Sequence, residues 1–219
     1  MLRTLLAAFC LLASACTPPE ANNFKTIDPQ KDISPTNVEN DVFLSTLEAI
    51  HDTNPLDLLP PSPITWSTCS GVEGDHPCNL TGPDQNGDNF GLYAQFGRPI
   101  VLDFSTGWCG PCRLAAAHAE EVQDLYADTG LLYITVLIET ANGDIPTQAD
   151  VAAWGAEYGL SDSLVIGASR AILESSGGPW PLTGWPTFYY IDREMVLRDI
   201  DRGYNAEEVI HSIEWLLTL

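Results

Sequence analysis

The residues of this chain best placed to do chemistry are two cysteines three positions apart, in Trp108-Cys109-Gly110-Pro111-Cys112. Just upstream, Pro99-Ile100-Val101-Leu102-Asp103-Phe104 is a short apolar run of buried-strand type, and residues 110–128 follow with helical spacing. Cys109 therefore stands just before a helix N-terminus, where unpaired N–H groups and the helix dipole favour a thiolate. The thiolate is the nucleophile of sulfur chemistry, and such a position draws a cysteine pKa from about 8.5 towards about 7 or below. Cys112, one turn into the helix, can reach Cys109 and close a small disulfide ring. A C-x-x-C between a strand and a helix reads as a redox dithiol. Zinc is the rival for any such pair, but it needs two further ligands, and Cys69-x8-Cys78 is poorly spaced to supply them.

The elements that must hold this pair alternate in period. Leu131 to Ile138 is a second buried-type strand, so the dithiol lies in a βαβ unit with parallel strands. In the helix between them, Leu114, Ala117, Val122 and Leu125 are expected to form the buried face. A helix over 148–158, a strand over 164–167 and a short helix over 169–175 come next. Residues 187–191 and 195–200 then flank a tight Asp192-Arg193-Glu194 turn, as in an antiparallel hairpin. The last helix opens at Asn205, with Glu208 in a loose capping-box position, and is expected to bury Val209, Ile210, Ile213 and Leu217. Upstream, Asn86-Gly87 between Leu80 and Phe90 predicts another hairpin. Asp84, Asn86 and Asp88 there are read as a plain turn rather than a calcium loop, since the glycine sits wrongly for an EF-hand. The fold class is α/β with a mixed sheet.

Asp103-Phe104-Ser105-Thr106-Gly107-Trp108-Cys109-Gly110-Pro111-Cys112-Arg113 resembles the active-site segment of thioredoxin, and Gly184-Trp185-Pro186-Thr187-Phe188 resembles the loop that carries its cis-proline. The upstream hairpin and the extra helix and strand between residues 141 and 181 bring the chain closer to exported, membrane-tethered proteins of the TlpA/ResA type. The resemblance spans about residues 77–219 and implies a three-layer thioredoxin-like fold with an N-terminal hairpin and an inserted helix-strand element. It implies that Cys109 attacks a substrate disulfide and Cys112 resolves the mixed disulfide. Asp103 would relay a proton to or from Cys112, because a desolvated carboxylate can act near neutrality; the alternative is a hydrogen-bonded strand-end aspartate. Glu139 matches a buried glutamate near the dithiol of the TlpA/ResA type, and an exposed strand-end glutamate is the other reading. Pro186 would present the Trp185 backbone to substrate in strand-like fashion. Trp108, Gly110, Pro111, Trp185 and Thr187 would form the surface that meets substrate. The 192–194 turn lacks the family's usual glycine, and a tryptophan before the cis-proline departs from the family in a way that would narrow substrate choice.

Composition bounds the partners. Thirty acidic residues against nine basic ones give a formal charge of −21. Such a chain cannot neutralise a phosphate backbone and is repelled by anionic headgroups, which excludes nucleic acid and any electrostatic membrane anchor. Residues 1–15 read as a signal peptide, with Arg3 followed by an apolar run of roughly 11 residues, too short for the ~20 of a membrane span. Leu12-Ala13-Ser14-Ala15-Cys16 resembles a bacterial lipobox, which would lipidate Cys16; Ala-x-Ala cleavage leaving a free cysteine is the alternative. Residues 16–63 read as an acidic, proline-containing tether with a short amphipathic helix near 41–50, and 64–219 as the folded domain.

Export favours a structural Cys69–Cys78 disulfide, with a second redox relay as the alternative. The function expected is an exported, periplasmic thiol–disulfide oxidoreductase, lipid-anchored and monomeric. It would reduce disulfides of other exported proteins, such as apocytochrome cysteines, with electrons from a membrane donor of thiol-transfer type. No metal and no cofactor beyond the Cys109–Cys112 disulfide is expected. The competing class is a non-catalytic lipoprotein that uses the fold as a scaffold or holds a metal between its thiols. A peroxidase is disfavoured because the Pro-x-x-x-Thr-x-x-Cys arrangement is absent from the sequence. The net charge should disfavour anionic thiols such as glutathione and favour neutral or basic protein partners.

Overall fold

A computed structural model describes residues 64–219. The residues read as a signal peptide and a tether, 1–15 and 16–63, lie outside the described residues, Cys16 among them. The chain enters through a hairpin of β1 (Thr81–Pro83) and β2 (Asn89–Gly91), paired antiparallel. The plain turn between them is held by Asp84, whose Oδ1 accepts from the Asn86 and Asp88 amides at 2.8 and 3.0 Å, with Gly87 at φ +87°. Then follow β3 (Ile100–Thr106), α1 (Gly110–Leu125), β4 (Leu132–Glu139), α2 (Gln148–Tyr158), β5 (Leu164–Gly167), β6 (Thr187–Ile191), β7 (Leu197–Arg202) and α3 (Ala206–Leu216). A five-stranded sheet runs β5-β4-β3-β6-β7, parallel through β3, β4 and β5 and antiparallel at β6 and β7.

Strand β3 is central and buried along its whole length, which is why it reads as an unbroken apolar run. Its alternate residues feed two cores. Ile100, Leu102 and Phe104 join Leu80, Phe90, Trp180 and Tyr189. Val101 joins residues from all three helices, among them Ala115, Ala116, Val151 and Ile213. Trp180, fully buried, packs its ring 4.9 Å from Phe104 and 5.1 Å from Tyr189. This anchors the long connection between β5 and β6.

Three expectations about packing are corrected. Helix α1 buries Cys112, Ala115, Ala116, Ala119 and Gln123, not the face through Leu114 and Leu125, which are 58% and 65% exposed. The alanines let the helix lie close to the sheet, so its larger apolar residues are left on the outer side. Gln123 earns its buried place through its amide, which donates to Leu131 O and accepts from the Tyr133 amide at the start of β4. Helix α3 buries Ser212 and Leu216 beside Val209 and Ile213, while Ile210 and Leu217 are only half-buried. Asn205 caps it by accepting from Glu207 N. Strand β7 begins at Leu197 rather than 195, because Met195 occupies the left-handed region at φ 59° and completes the turn in place of the glycine. A side chain there is uncommon; its burial, and His76 Nδ1 2.6 Å from the Met195 carbonyl, hold it.

Cys69 and Cys78 are disulfide-bonded and close a loop on the outer side of β7. Within it, Gly74 N donates to Leu197 O and Asp75 O accepts from Leu197 N. The loop thereby extends the sheet edge without being a strand. Replacing both cysteines by serine is expected to cost about 2–3 kcal/mol, the value for a loop of roughly ten residues. Equilibrium urea unfolding checks this; an unchanged midpoint would show that the backbone pairing holds the loop unaided.

Candidate active site

The site forms where β3 ends and α1 begins. The last ladder bonds of β3 run out at Thr106, and the chain turns with Cys109 N donating to Thr106 O. Gly107 makes this turn possible. A Cβ there would stand 2.5 Å from the Ala141 nitrogen, so only glycine can pass so close to the segment after β4. Gly107 N donates to Glu139 O, and the Arg113 guanidinium donates back to Gly107 O.

Cys109 is the N-cap of α1: its Sγ accepts from Cys112 N at 3.2 Å, and Pro111 sits in the first turn, where a missing N–H costs nothing. The two cysteines are disulfide-bonded with Cα atoms 5.2 Å apart. They are not equivalent. Cys109 keeps 5% exposure, whereas Cys112 is fully buried. An incoming sulfur can therefore meet only Cys109.

Asp103 lies on the Val101 face of β3, the side that carries α1, and is wholly buried. Ser105 Oγ donates to its Oδ1 at 2.6 Å and Tyr133 OH to its Oδ2 at 3.3 Å. Burial raises its pKa to about 7 against the opposing pull of these two bonds. Both forms of the carboxyl are thus populated near neutrality. Tyr133 is itself raised, first by burial and then by the Asp103 charge.

Register brings the second loop to the dithiol. Thr187 pairs with Phe104, so the residues before β6 reach the end of β3 from which the dithiol loop departs. The Trp185–Pro186 peptide bond is cis. Thr187 Oγ1 ties back to Gly184 O, and Pro186 O accepts from Gly203 N. Trp108 and Trp185 meet edge to face, with ring centroids 6.5 Å apart. Gly110 is open, with no atom within 4 Å of a Cβ placed there.

Glu139 ends β4 opposite Thr106. Its carboxylate accepts from Trp108 Nε1 at 2.8 Å and is paired with Arg170 at 2.5 Å. The Arg170 contact, before any other, holds its pKa below the usual carboxylate range. Its side chain is only 13% exposed, and the pairing keeps it an anion rather than an acid poised to exchange a proton. Ser105, Tyr133 and Arg170 went unremarked in the sequence. Only Tyr133, a phenol inside an aliphatic strand run, carries a local signal.

A disulfide at the N-cap of the helix after a central β3, facing a cis-proline loop, defines a thioredoxin-like dithiol–disulfide exchange protein. The AhpC/TSA family model matches residues 74–200, and the chain belongs to that family of thioredoxin-like oxidoreductases. Thioredoxin of Coprinus comatus is 30% identical over 94 residues, 41% of this chain and 88% of that protein. A thiol:disulfide interchange protein of the thioredoxin family from Chlorobium tepidum superposes with a TM-score of 0.52 at 19% identity, over 70% of this chain and 99% of that one. The exposed lipoprotein thioredoxin of Streptococcus pneumoniae does so at 0.52 and 22%, over 65% and 100%. These two structures bear on the fold.

The Asp103 environment has a measurable consequence. Because its folded pKa is raised, the folded state keeps a proton that the unfolded chain releases between about pH 4 and 7. Stability therefore falls as pH rises through that window. Asp103→Asn is expected to be more stable than wild type at pH 8 by on the order of 4 kcal/mol, with the gain vanishing near pH 4. Denaturant unfolding at the two pH values checks it; a pH-independent difference would contradict it.

Proposed function

We propose that the protein is an exported thiol–disulfide oxidoreductase that reduces disulfides of other exported proteins. The observation that carries the reading is the asymmetry of the dithiol, one sulfur capping a helix at the surface and the other sealed beneath it. In the reduced protein, the Cys109 thiolate attacks one sulfur of a substrate disulfide. A Cys109–substrate disulfide forms, the substrate S–S bond breaks and one substrate thiolate leaves. Cys112 then gives its proton to the Asp103 carboxylate and attacks Cys109 Sγ, releasing the second substrate thiolate. The substrate gains two electrons, its two thiolates take their protons from water, and the protein is left as the Cys109–Cys112 disulfide with the Cys112 proton on Asp103. A dithiol donor at the membrane reverses both exchanges and restores the reduced form.

Pro186 and Trp185 receive the substrate chain beside Cys109, with Trp108, Gly110, Pro111 and Thr187 completing the surface around it. Export rests on the leader-like residues 1–15, and lipid anchoring on Cys16 within its lipobox-like setting. The described residues contain no helix long and apolar enough to cross a membrane. The described domain carries 22 acids against six arginines, a charge of −16, which favours neutral or basic polypeptides over anionic thiols. In an insulin-reduction assay with dithiothreitol as donor, Cys109→Ser is expected to lose the protein-catalysed rate, at least about 100-fold. Equal rates in wild type and variant would overturn the reading.

A further inference from the structure

Four side chains from four separate segments close a circuit that includes Trp108, the residue before Cys109. Trp108 belongs to the dithiol loop, Glu139 to the end of β4, Arg170 to the short turn after β5, and Trp185 to the cis-proline loop. Arg170 engages Glu139 with two prongs, Nε to Oε1 at 2.5 Å and Nη2 to Oε2 at 2.9 Å. The same Oε2 accepts the Trp108 indole N–H at 2.8 Å. The Arg170 guanidinium carbon lies 5.7 Å from the centre of the Trp185 ring, and that ring meets Trp108 edge to face. A planar, two-pronged cation that also lies against an aromatic ring is a task that lysine cannot reproduce.

The chemistry of what remains open is apolar. The Trp108 indole N–H is already used by Glu139, yet the residue is 44% exposed, so what it offers an approaching chain is ring surface. Glu139 and Arg170 neutralise each other, so the pair adds no net charge beside the dithiol loop. In a domain of charge −16, this keeps the approach to Cys109 free of an unpaired carboxylate from the end of β4.

Resting on the oxidoreductase reading above, we propose that Arg170 is a positioning residue: it fixes Trp108 and Trp185 as one apolar wall beside Cys109. That wall selects polypeptide disulfides whose cysteine is flanked by an apolar side chain. Arg170 touches no reacting atom; it acts through the two indoles. Because it comes from the connection after β5, substrate selection is set by a segment separate from the dithiol and cis-proline loops.

The test uses two disulfide-linked peptide dimers of one sequence, each with a single cysteine, differing only in leucine or asparagine next to that cysteine. The two residues are similar in size and uncharged. Wild-type protein is expected to reduce the leucine peptide with a kcat/KM roughly tenfold higher, the scale of one small apolar contact. Arg170→Met is expected to bring that ratio to within about twofold of unity, and Arg170→Lys, which keeps the charge but not the fork, to fail to restore it. Should Arg170→Met fold poorly, Arg170→Lys carries the test alone. Arg193→Met, at the opposite end of the sheet, is expected to keep the wild-type ratio. A merely structural role would lower both peptides together and leave the ratio intact. An unchanged ratio in Arg170→Met, or no preference in wild type, overturns the proposal. Failure of the oxidoreductase reading looks different: neither peptide is then reduced faster by wild type than by Cys109→Ser.

Discussion

The architecture around the dithiol follows from one constraint: a sulfur must cap a helix that starts at the very end of a fully buried strand. Cys109 Sγ accepts the Cys112 amide at the first turn of α1, a place where a helix leaves its N–H groups unpaired and favours negative charge. A hydroxyl or carboxylate would fill that role and remain inert. A thiol fills it and becomes a nucleophile. For the cap to stand where β3 stops, the chain must turn within three residues. This is why Gly107 presses against the backbone after β4 and why Thr106 O takes the Cys109 amide.

The same geometry separates the duties of the two sulfurs. Helix α1 is drawn tight to the sheet by Ala115, Ala116 and Ala119, which submerges Cys112 and leaves Cys109 at the rim. Beneath the helix, the layer that excludes water from Cys112 also excludes it from Asp103, and that desolvation brings the carboxyl's pKa to about 7. Two carboxylates near the site therefore sit in opposite regimes. Asp103 is neutralised readily because burial dominates, whereas Glu139 is kept ionised because Arg170 and Trp108 hold its oxygens. The first suits proton traffic and the second suits fixed architecture.

Much of this was legible in the sequence. The helix at 148–158 and the strand at 164–167 emerge with the bounds read from their patterns, because Thr147 and Asp150 form a reciprocal cap and Gly159 ends the helix in a left-handed turn. The dithiol was legible because two cysteines at that spacing before a helix are tied to redox chemistry, and the proline loop through its resemblance to the corresponding thioredoxin segment. What stayed hidden depended on size and distance. The buried face of α1 is built from alanines, which a search for large apolar residues passes over in favour of Leu114 and Leu125. Arg170 and Glu139 are 31 positions apart, and no periodicity links them. Met195 stands in a left-handed turn position normally given to glycine, and only its tertiary anchoring explains it.

The proposed direction of exchange, from the Cys109–Cys112 dithiol to a substrate disulfide, rests on the Gly110-Pro111 spacer, which resembles that of reductants more than of oxidants. The reduction potential of the Cys109–Cys112 couple tests it most directly, by equilibrating the purified protein in graded redox buffers and reading the oxidised fraction by thiol alkylation. A value near the thioredoxin end of the range, about −270 mV, is expected. A value near −120 mV, at the oxidant end, would contradict it.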